Sequence, residues 1–281
     1  MDINGKYSKD PLGQRMKEYE AVTRNFLPRR SFTIIRVDGK AFHTYTRGLV
    51  RPFDVGLVED MDATAIALCK EIQGAVLAYV QSDEISVLIS DMDTINTQAW
   101  YGNNIQKMCS ISAAVATAAF NQARLVRAFA QANELEYDIR KFGIETFKTA
   151  LFDSRVFQIP QREEVKNYFI WRQKDAVRNS ISSVAQSLYS HKELNGVSSK
   201  EMQELIFQKD INWNDYDAGL KRGRMIEKES FLVAAQDGRP AHTRNRWVAK
   251  GAVDILKDRE IFDWKIPENR PMVRIKEEVD G

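Results

Sequence analysis

The spacing of apolar residues changes several times along the chain, and each change marks an element. Residues 10–27 place Met16, Tyr19, Val22 and Phe26 on one stripe of a charged helix that Pro28 ends. β-Branched residues then crowd 31–37 into a short apolar strand that stops abruptly at Asp38-Gly39. After the loop 43–48, Arg51-Pro52-Phe53-Asp54 leads into a helix. Asp54 is suited to cap it, and Leu57, Val58, Met61, Ala65, Leu68 and Ile72 hold a core-facing spacing up to Gly74. Two apolar runs, Ala75 to Val80 and Ile85 to Ile89, flank Gln81-Ser82-Asp83-Glu84 and predict a hairpin with Asp83 and Glu84 at its tip. An alanine-rich helix is expected over 104–132, with Ile105, Met108, Ser112, Val115, Ala119, Ala123 and Val126 on one face. A strand closed by Pro160 follows over 150–160.

The order strand, helix, strand, strand, helix, strand is the split pattern of an α+β, ferredoxin-like βαββαβ sheet. Its helices are expected on one face, leaving the other open to a substrate. Beyond it lie a helix over 163–189 and a short one that Ser198 and Glu201 start with a capping box. Residues 221–281 mix strand-like runs with two basic clusters, Lys221, Arg222, Arg224 and Arg239, Arg244, Arg246. The division expected is a palm-like unit at 1–162 and a mainly helical C-terminal extension at 163–281.

Composition changes this picture little. A chain of 281 residues, 43% apolar and 28% charged, can bury a full core, and its net charge of +2 does not by itself require a polyanionic partner. No apolar run approaches the length of a membrane span, and the first residues have no signal-peptide core. Cys69 and Cys109 fall within apolar helical patterns and read as reduced, buried thiols, which fits a cytoplasmic protein. Walker-type phosphate loops, serine-nucleophile elbows and paired Cys or His zinc spacings do not occur.

Asp38 and Asp83 are the sharpest candidates for chemistry. A carboxylate at the end of one strand and another at a neighbouring hairpin tip can converge on a pair of Mg²⁺ ions, which take one or two carboxylates and fill the rest of their shell with phosphate and water. Gly39 can add a backbone carbonyl. Glu84, one residue further, points to the opposite face from Asp83 if the strand has begun, which makes it a weaker ligand. Phe42 is either a base-stacking platform or core, and His43 beside it either a nucleotide contact or a loop polar group. Arg36, Lys40, Arg51 and Lys107 are candidate phosphate contacts. Lys107 is placed in the first turn of a helix, where a cation is disfavoured unless an anion is near.

Five ordered motifs resemble those of the tRNA-His guanylyltransferase superfamily: Arg36 to His43, Arg51 to Asp54, Gln81 to Glu84, Phe152 to Val156, and Tyr168 to Asp175. The resemblance spans roughly residues 10–190 and implies a polymerase-palm enzyme that extends nucleic acid in the 3′-to-5′ direction. It implies that Asp38, the Gly39 carbonyl and Asp83 hold two Mg²⁺ ions. It also implies nucleotide contacts from Lys40, Ala41, Phe42, His43, Asp54, Ser82 and, less firmly, Glu84. Arg36, Arg51, Ser82, Lys107 and Asn179 would handle triphosphates or the tRNA 5′ end, with ATP or GTP as substrate, tRNA as partner and a homotetramer as assembly. Eukaryotic members carry His-Ile-Asn-Asn-Leu-Tyr-Asn where this chain has Val177 to Ser183, and only Asn179 agrees. Asn104 stands where an arginine is common in the family. The first departure resembles the bacterial and archaeal guanylyltransferase-like branch, which repairs 5′-truncated tRNA by templated addition. G−1 addition to tRNA-His, a nucleotide cyclase on the same palm, and a non-catalytic RNA-binding module are the alternatives.

Overall fold

The computed structural model describes residues 10–134, 148–233, 242–252 and 254–258. Helix α1 (Pro11–Ala21) starts at Asp10, whose side chain accepts from the Gly13 N–H. It is shorter than its apolar stripe. Phe26 leaves the helix to bridge Asn104, and Met16, Tyr19, Val22 and Phe26 are all exposed. Strand β1 (Phe32–Gly39) runs to the one-turn helix α2 (Phe42–Tyr45) and then to α3 (Val55–Glu71). Asp54 caps α3 as expected, accepting from the Leu57 N–H at 2.7 Å. Strands β2 (Ala75–Gln81) and β3 (Glu84–Ile89) form the hairpin, its turn reduced to Ser82 and Asp83. Helix α4 (Ile105–Glu134) follows, then β4 (Phe152–Ile159), α5 (Arg162–Leu188), α6 (Ser199–Phe207), α7 (Ala218–Arg222), β5 (Arg224–Val233) and β6 (His242–Gly251).

One six-stranded sheet orders these strands β4-β1-β3-β2-β5-β6, and every neighbouring pair is antiparallel. The first four strands are the ferredoxin-like set that the pattern predicts. The two added strands come from the C-terminal region and extend the sheet past β2. Ile35, Val37, Val80, Ile85 and Val87 face α3 and α4, where Met108, Ala116 and Phe120 are fully buried. The buried positions of α4 are 108, 112, 116 and 120. That row diverges from the predicted face further along, and Val126 is 60% exposed. Of the alanines in this helix, Ala116 is buried against the sheet, whereas Ala114 and Ala118 are exposed.

The second face is not left open. Phe32, Ile34, Leu77, Tyr79 and Leu88 point to it, and Val165, Tyr168, Phe169 and Ile170 of α5 cover them. Alternation along a strand accounts for this. β1 carries apolar residues on both faces, Phe32 and Ile34 on one and Ile35 and Val37 on the other, so both faces need a helix. The uncovered part of this face is its end, where β1 turns polar at Arg36 and Asp38. Cys69 is a buried free thiol that burial pushes up to about 12, and Cys109 is a half-buried one.

Candidate active site

The polar end of the sheet is built from the end of β1, the β2–β3 turn and the start of β3. Asp38 lies in register with Glu84 on one side and Asp153 on the other. The Gly39 N–H donates to the Asp83 carbonyl at 3.1 Å, so the backbones that carry the two predicted metal ligands are hydrogen-bonded to each other. Gly39 is required sterically: a Cβ there would lie 2.3 Å from the Phe42 ring. That ring is core, 5% exposed and packed on Tyr45, Phe120 and Phe152. What this segment can present to a ligand is its backbone, held by the Lys40 N–H donating to Leu151 and by Ala41 in the left-handed region at φ 54°. A non-glycine residue there costs on the order of 1 kcal/mol.

Asp83 is largely buried, and burial is the first cause that pushes its carboxyl up to about 6. Its own backbone N–H and the Ser82 hydroxyl oppose the shift, while the negative charges of Asp38 and Glu84 add to it. A cluster of carboxylates with raised affinity for protons also has raised affinity for another cation. Among the described residues, no group of three or more His, Cys, Asp or Glu side chains forms a metal cage. Two carboxylates beside open space suit Mg²⁺, which takes its remaining ligands from phosphate and water, better than a zinc or structural calcium site.

Glu84 has a different part. Its side chain accepts from Arg172 at 2.7 Å and lies 4.0 Å from the Arg36 Nε, and all three are mostly buried. Arg172 also pairs with Asp175 at 3.0 Å, and its guanidinium sits 3.8 Å above the Trp171 ring. Glu84 thus holds two arginines at the edge of the site, and the Arg36 Nε has no hydrogen-bond partner. Arg172 lies within the Tyr168–Asp175 motif, which does not single it out. Its signal was an arginine facing inward from an otherwise apolar stretch of helix.

Beside the carboxylates opens a cleft of about 320 Å³ between α3, α5 and the hairpin turn. It gathers His43, Arg51, Asp54, Ser82 and Asn179, five residues scattered over 137 positions of sequence, with Val50, Pro52, Leu57 and Ala176 as apolar walls. Asp54 reaches it with both oxygens engaged, one by Leu57 and one by the Val50 N–H at 3.2 Å. Ser82 stands in the turn at φ 47°. Arg224 lines the same cleft, held against Asp62 at 2.5 Å, and no local motif announced it.

Lys107 is not brought to this end. The contacts of α4 with β4 run Ser112 to Ser154, Thr117 to Phe152 and Asn121 to Ala150, and Phe152 pairs with Gly39. Thr117 therefore marks the level of Asp38, and Lys107 lies ten residues, about 15 Å, further along the helix. Asn104 caps α4 there, accepting from the Lys107 N–H at 3.0 Å, and the Lys107 ammonium lies 5.9 Å from the Tyr101 ring.

A palm-like sheet with two carboxylates at its polar end, beside a cleft of mixed walls, is the arrangement of a nucleotidyltransferase. Residues 13–160 match the family model described as Thg1, tRNA(His) guanylyltransferase, and the chain belongs to that family. The solved structure of a bacterial tRNA(His) guanylyltransferase (Thg1)-like protein in complex with ATP is 41% identical, with a TM-score of 0.76, over 91% of this chain and 99% of that one. A structure titled as the same kind of bacterial protein in complex with GTP is 39% identical, with a TM-score of 0.72 over 91% and 99%. The tRNA(His) guanylyltransferase of Schizosaccharomyces pombe is 27% identical over 76% of this chain and 79% of its own. No described helix is long and apolar enough to cross a membrane.

Proposed function

We propose that the chain is a template-dependent 3′–5′ polymerase that rebuilds the 5′ end of truncated tRNA. The single observation that carries it is the joint between Gly39 and Asp83, which sets two carboxylate-bearing backbones side by side next to Ser82, a lining residue of the cleft. Support for repair rather than G−1 addition comes from identity: 41% to a bacterial guanylyltransferase-like protein against 27% to the fission-yeast guanylyltransferase. The segment Val177 to Ser183, which lacks the eukaryotic motif, agrees with it.

Asp38, the Gly39 carbonyl and Asp83 would hold Mg²⁺. Bound there, the ions neutralise triphosphate charge and acidify the attacking hydroxyl. The chain itself positions. The 5′-monophosphate of tRNA attacks the α-phosphorus of ATP, forming a 5′-adenylylated end and releasing pyrophosphate. The 3′-hydroxyl of an incoming nucleotide then attacks that 5′ phosphorus and releases AMP. The Lys40–His43 backbone, Asp54 and Ser82 orient the nucleotide. Arg51 and Asn179 reach the phosphates from the cleft walls, and Arg36, held by Glu84, does so from the sheet. This is catalysis by alignment and charge neutralisation. In this reading residues 1–162 form the catalytic part. Residues 163–281 contribute tRNA binding and assembly into a homotetramer in the cytoplasm.

The test is a 5′-extension assay with Mg²⁺, ATP, all four nucleoside triphosphates and a labelled tRNA that lacks its first nucleotide. Templated addition that stops at a complete acceptor stem is expected. Addition of a single G to full-length tRNA-His alone would place the enzyme with the guanylyltransferases. Consumption of free nucleotide with no RNA product would indicate a cyclase.

A further inference from the structure

Strands β5 and β6 leave the sheet as a two-stranded ribbon. Of β5, only Arg224–Glu227 pairs with β2, whereas Lys228 to Val233 pair only with His242 to Trp247. A ribbon with only its own two strands is marginally stable in water. Along β5 and β6 beyond Arg224, the cations Lys228, Arg244, Arg246 and Lys250 stand against two carboxylates, Glu227 and Glu229. Strand alternation and register place Arg244, Arg246, Lys250, Glu227, Glu229 and Phe231 on one side, three cations against two carboxylates. Arg246 and Lys250 remain 62% and 51% exposed although both reach Glu229, at 3.2 and 3.1 Å. Aromatic rings hold two of the cations extended. Arg246 lies 5.4 Å over Phe231, and on the other side Lys228 lies 5.0 Å over Trp247.

The first basic cluster of the sequence, Lys221, Arg222 and Arg224, is different. Lys221 is buried and donates to the Asn214 carbonyl, Arg222 lies 3.8 Å from Asp254, and Arg224 pairs with Asp62. Those cations are structural. Arg239 lies outside the described residues.

Met225 shares the side of Arg246 and packs on the α5 face of the sheet, the face to which Phe32, Ile34 and, by alternation, Arg36 and Asp38 also belong. The basic row and the Asp38 carboxylate therefore look to the same side. Four strand spacings and five residues of strand separate them, roughly 25 Å.

We infer that the β5–β6 ribbon is a docking surface for the sugar–phosphate backbone of the tRNA, gripped through Arg244, Arg246 and Lys250 while the 5′ end occupies the carboxylate edge. Guanidinium groups suit phosphate oxygens, and a second copy of the chain would bring a ribbon of the same sign. This rests on the proposed function, since it supplies the remote grip which that function needs.

The test compares the full chain with R244Q/R246Q/K250Q and with the charge-keeping R244K/R246K, binding labelled 5′-truncated tRNA from about 50 to 200 mM salt. Nucleotide binding is measured alongside. The expected result for the glutamine variant is weaker tRNA binding, with the slope of log affinity against log salt reduced by about 2, at roughly 0.7–0.9 per lost contact. ATP affinity stays unchanged, and the lysine variant keeps the slope. If the glutamine variant binds tRNA with the full chain's affinity and slope, the ribbon is not the surface, and the proposed function stands. If it changes mass by sedimentation with the slope unchanged, the ribbon joins copies of the chain and the inference falls. If the unaltered chain has no affinity for tRNA at any salt, the proposed function itself fails.

Discussion

Asp60 and Asp83 are both acidic residues that the fold takes out of water, and the protein surrounds them differently. Asp60, in α3, is fully buried and meets Arg124 at 2.9 Å on one oxygen and Arg127 at 2.9 Å on the other. Its charge is answered inside the chain, and the answer ties α3 to α4. Asp83 faces its own backbone N–H, the Ser82 hydroxyl and the carboxylates of Asp38 and Glu84. Arg36 and Arg172 at this edge are taken by Glu84, and Arg155 lies 3.9 Å from Asp38. A buried charge answered within the fold is structural, and one left short of positive charge is a candidate for binding a cation.

The largest effect that sharpens this contrast is on activity. Asp38→Asn or Asp83→Asn should abolish 5′-extension by about 10³-fold or more, on the order of 4 kcal/mol, with the far-UV spectrum unchanged. Retained activity at saturating Mg²⁺ would remove the shared metal site. Asp60→Asn should act on stability instead, lowering it by about 3–5 kcal/mol because Arg124 and Arg127 are left buried and uncompensated. Thermal unfolding would show it, and an unchanged midpoint would mean that water reaches the pair.

Asp83 should also behave oppositely to Asp60 when neutralised. Burial pushes its folded carboxyl up to about 6, above the ordinary aspartate value of about 3.9 that it has in the unfolded chain. The native state binds more protons between these values, so the contribution of Asp83 to stability is greatest below about 4 and is lost as pH rises through about 6. The metal-free protein should therefore gain up to about 3 kcal/mol from Asp83→Asn at pH 7 and almost nothing at pH 4. A loss at pH 7 would show that the carboxylate is stabilised by the fold.

How far the sequence carried these distinctions depends on the range of the interaction. Local signals held. Asp54 caps α3, Ser198 and Glu201 form their capping box, and the apolar pairs flanking Ser82-Asp83 form the hairpin. Nothing in the local spacing sets Asp60 apart, because its partners Arg124 and Arg127 are 64 and 67 residues away. Phe42 was equally open between stacking and core until Phe120 and Phe152 were seen around it. Lys107 was credited by its helix N-terminus, but only the α4–β4 contacts show how far along α4 that terminus lies. The open face was wrong because periodicity inside β1 predicts two apolar sides, and only α5 could supply the second cover.

The smallest effect separates stored strain from useful chemistry at the hairpin turn. Ser82 holds φ 47° without being glycine, which costs about 1 kcal/mol, and its hydroxyl is one of the few groups that favour the charged form of Asp83. Ser82→Gly should relieve the backbone and raise the melting midpoint of the metal-free protein by roughly 2–4 °C. The same change removes a hydrogen bond to Asp83 and a lining group of the cleft, so extension activity should fall while the protein becomes more stable. Asp60 has no such trade: nothing that weakens its ion pairs should stabilise the chain. If Ser82→Gly lowers the midpoint instead, the hydroxyl contributes more to the fold than the backbone loses. The turn would then belong with Asp60 among the structural parts of the molecule.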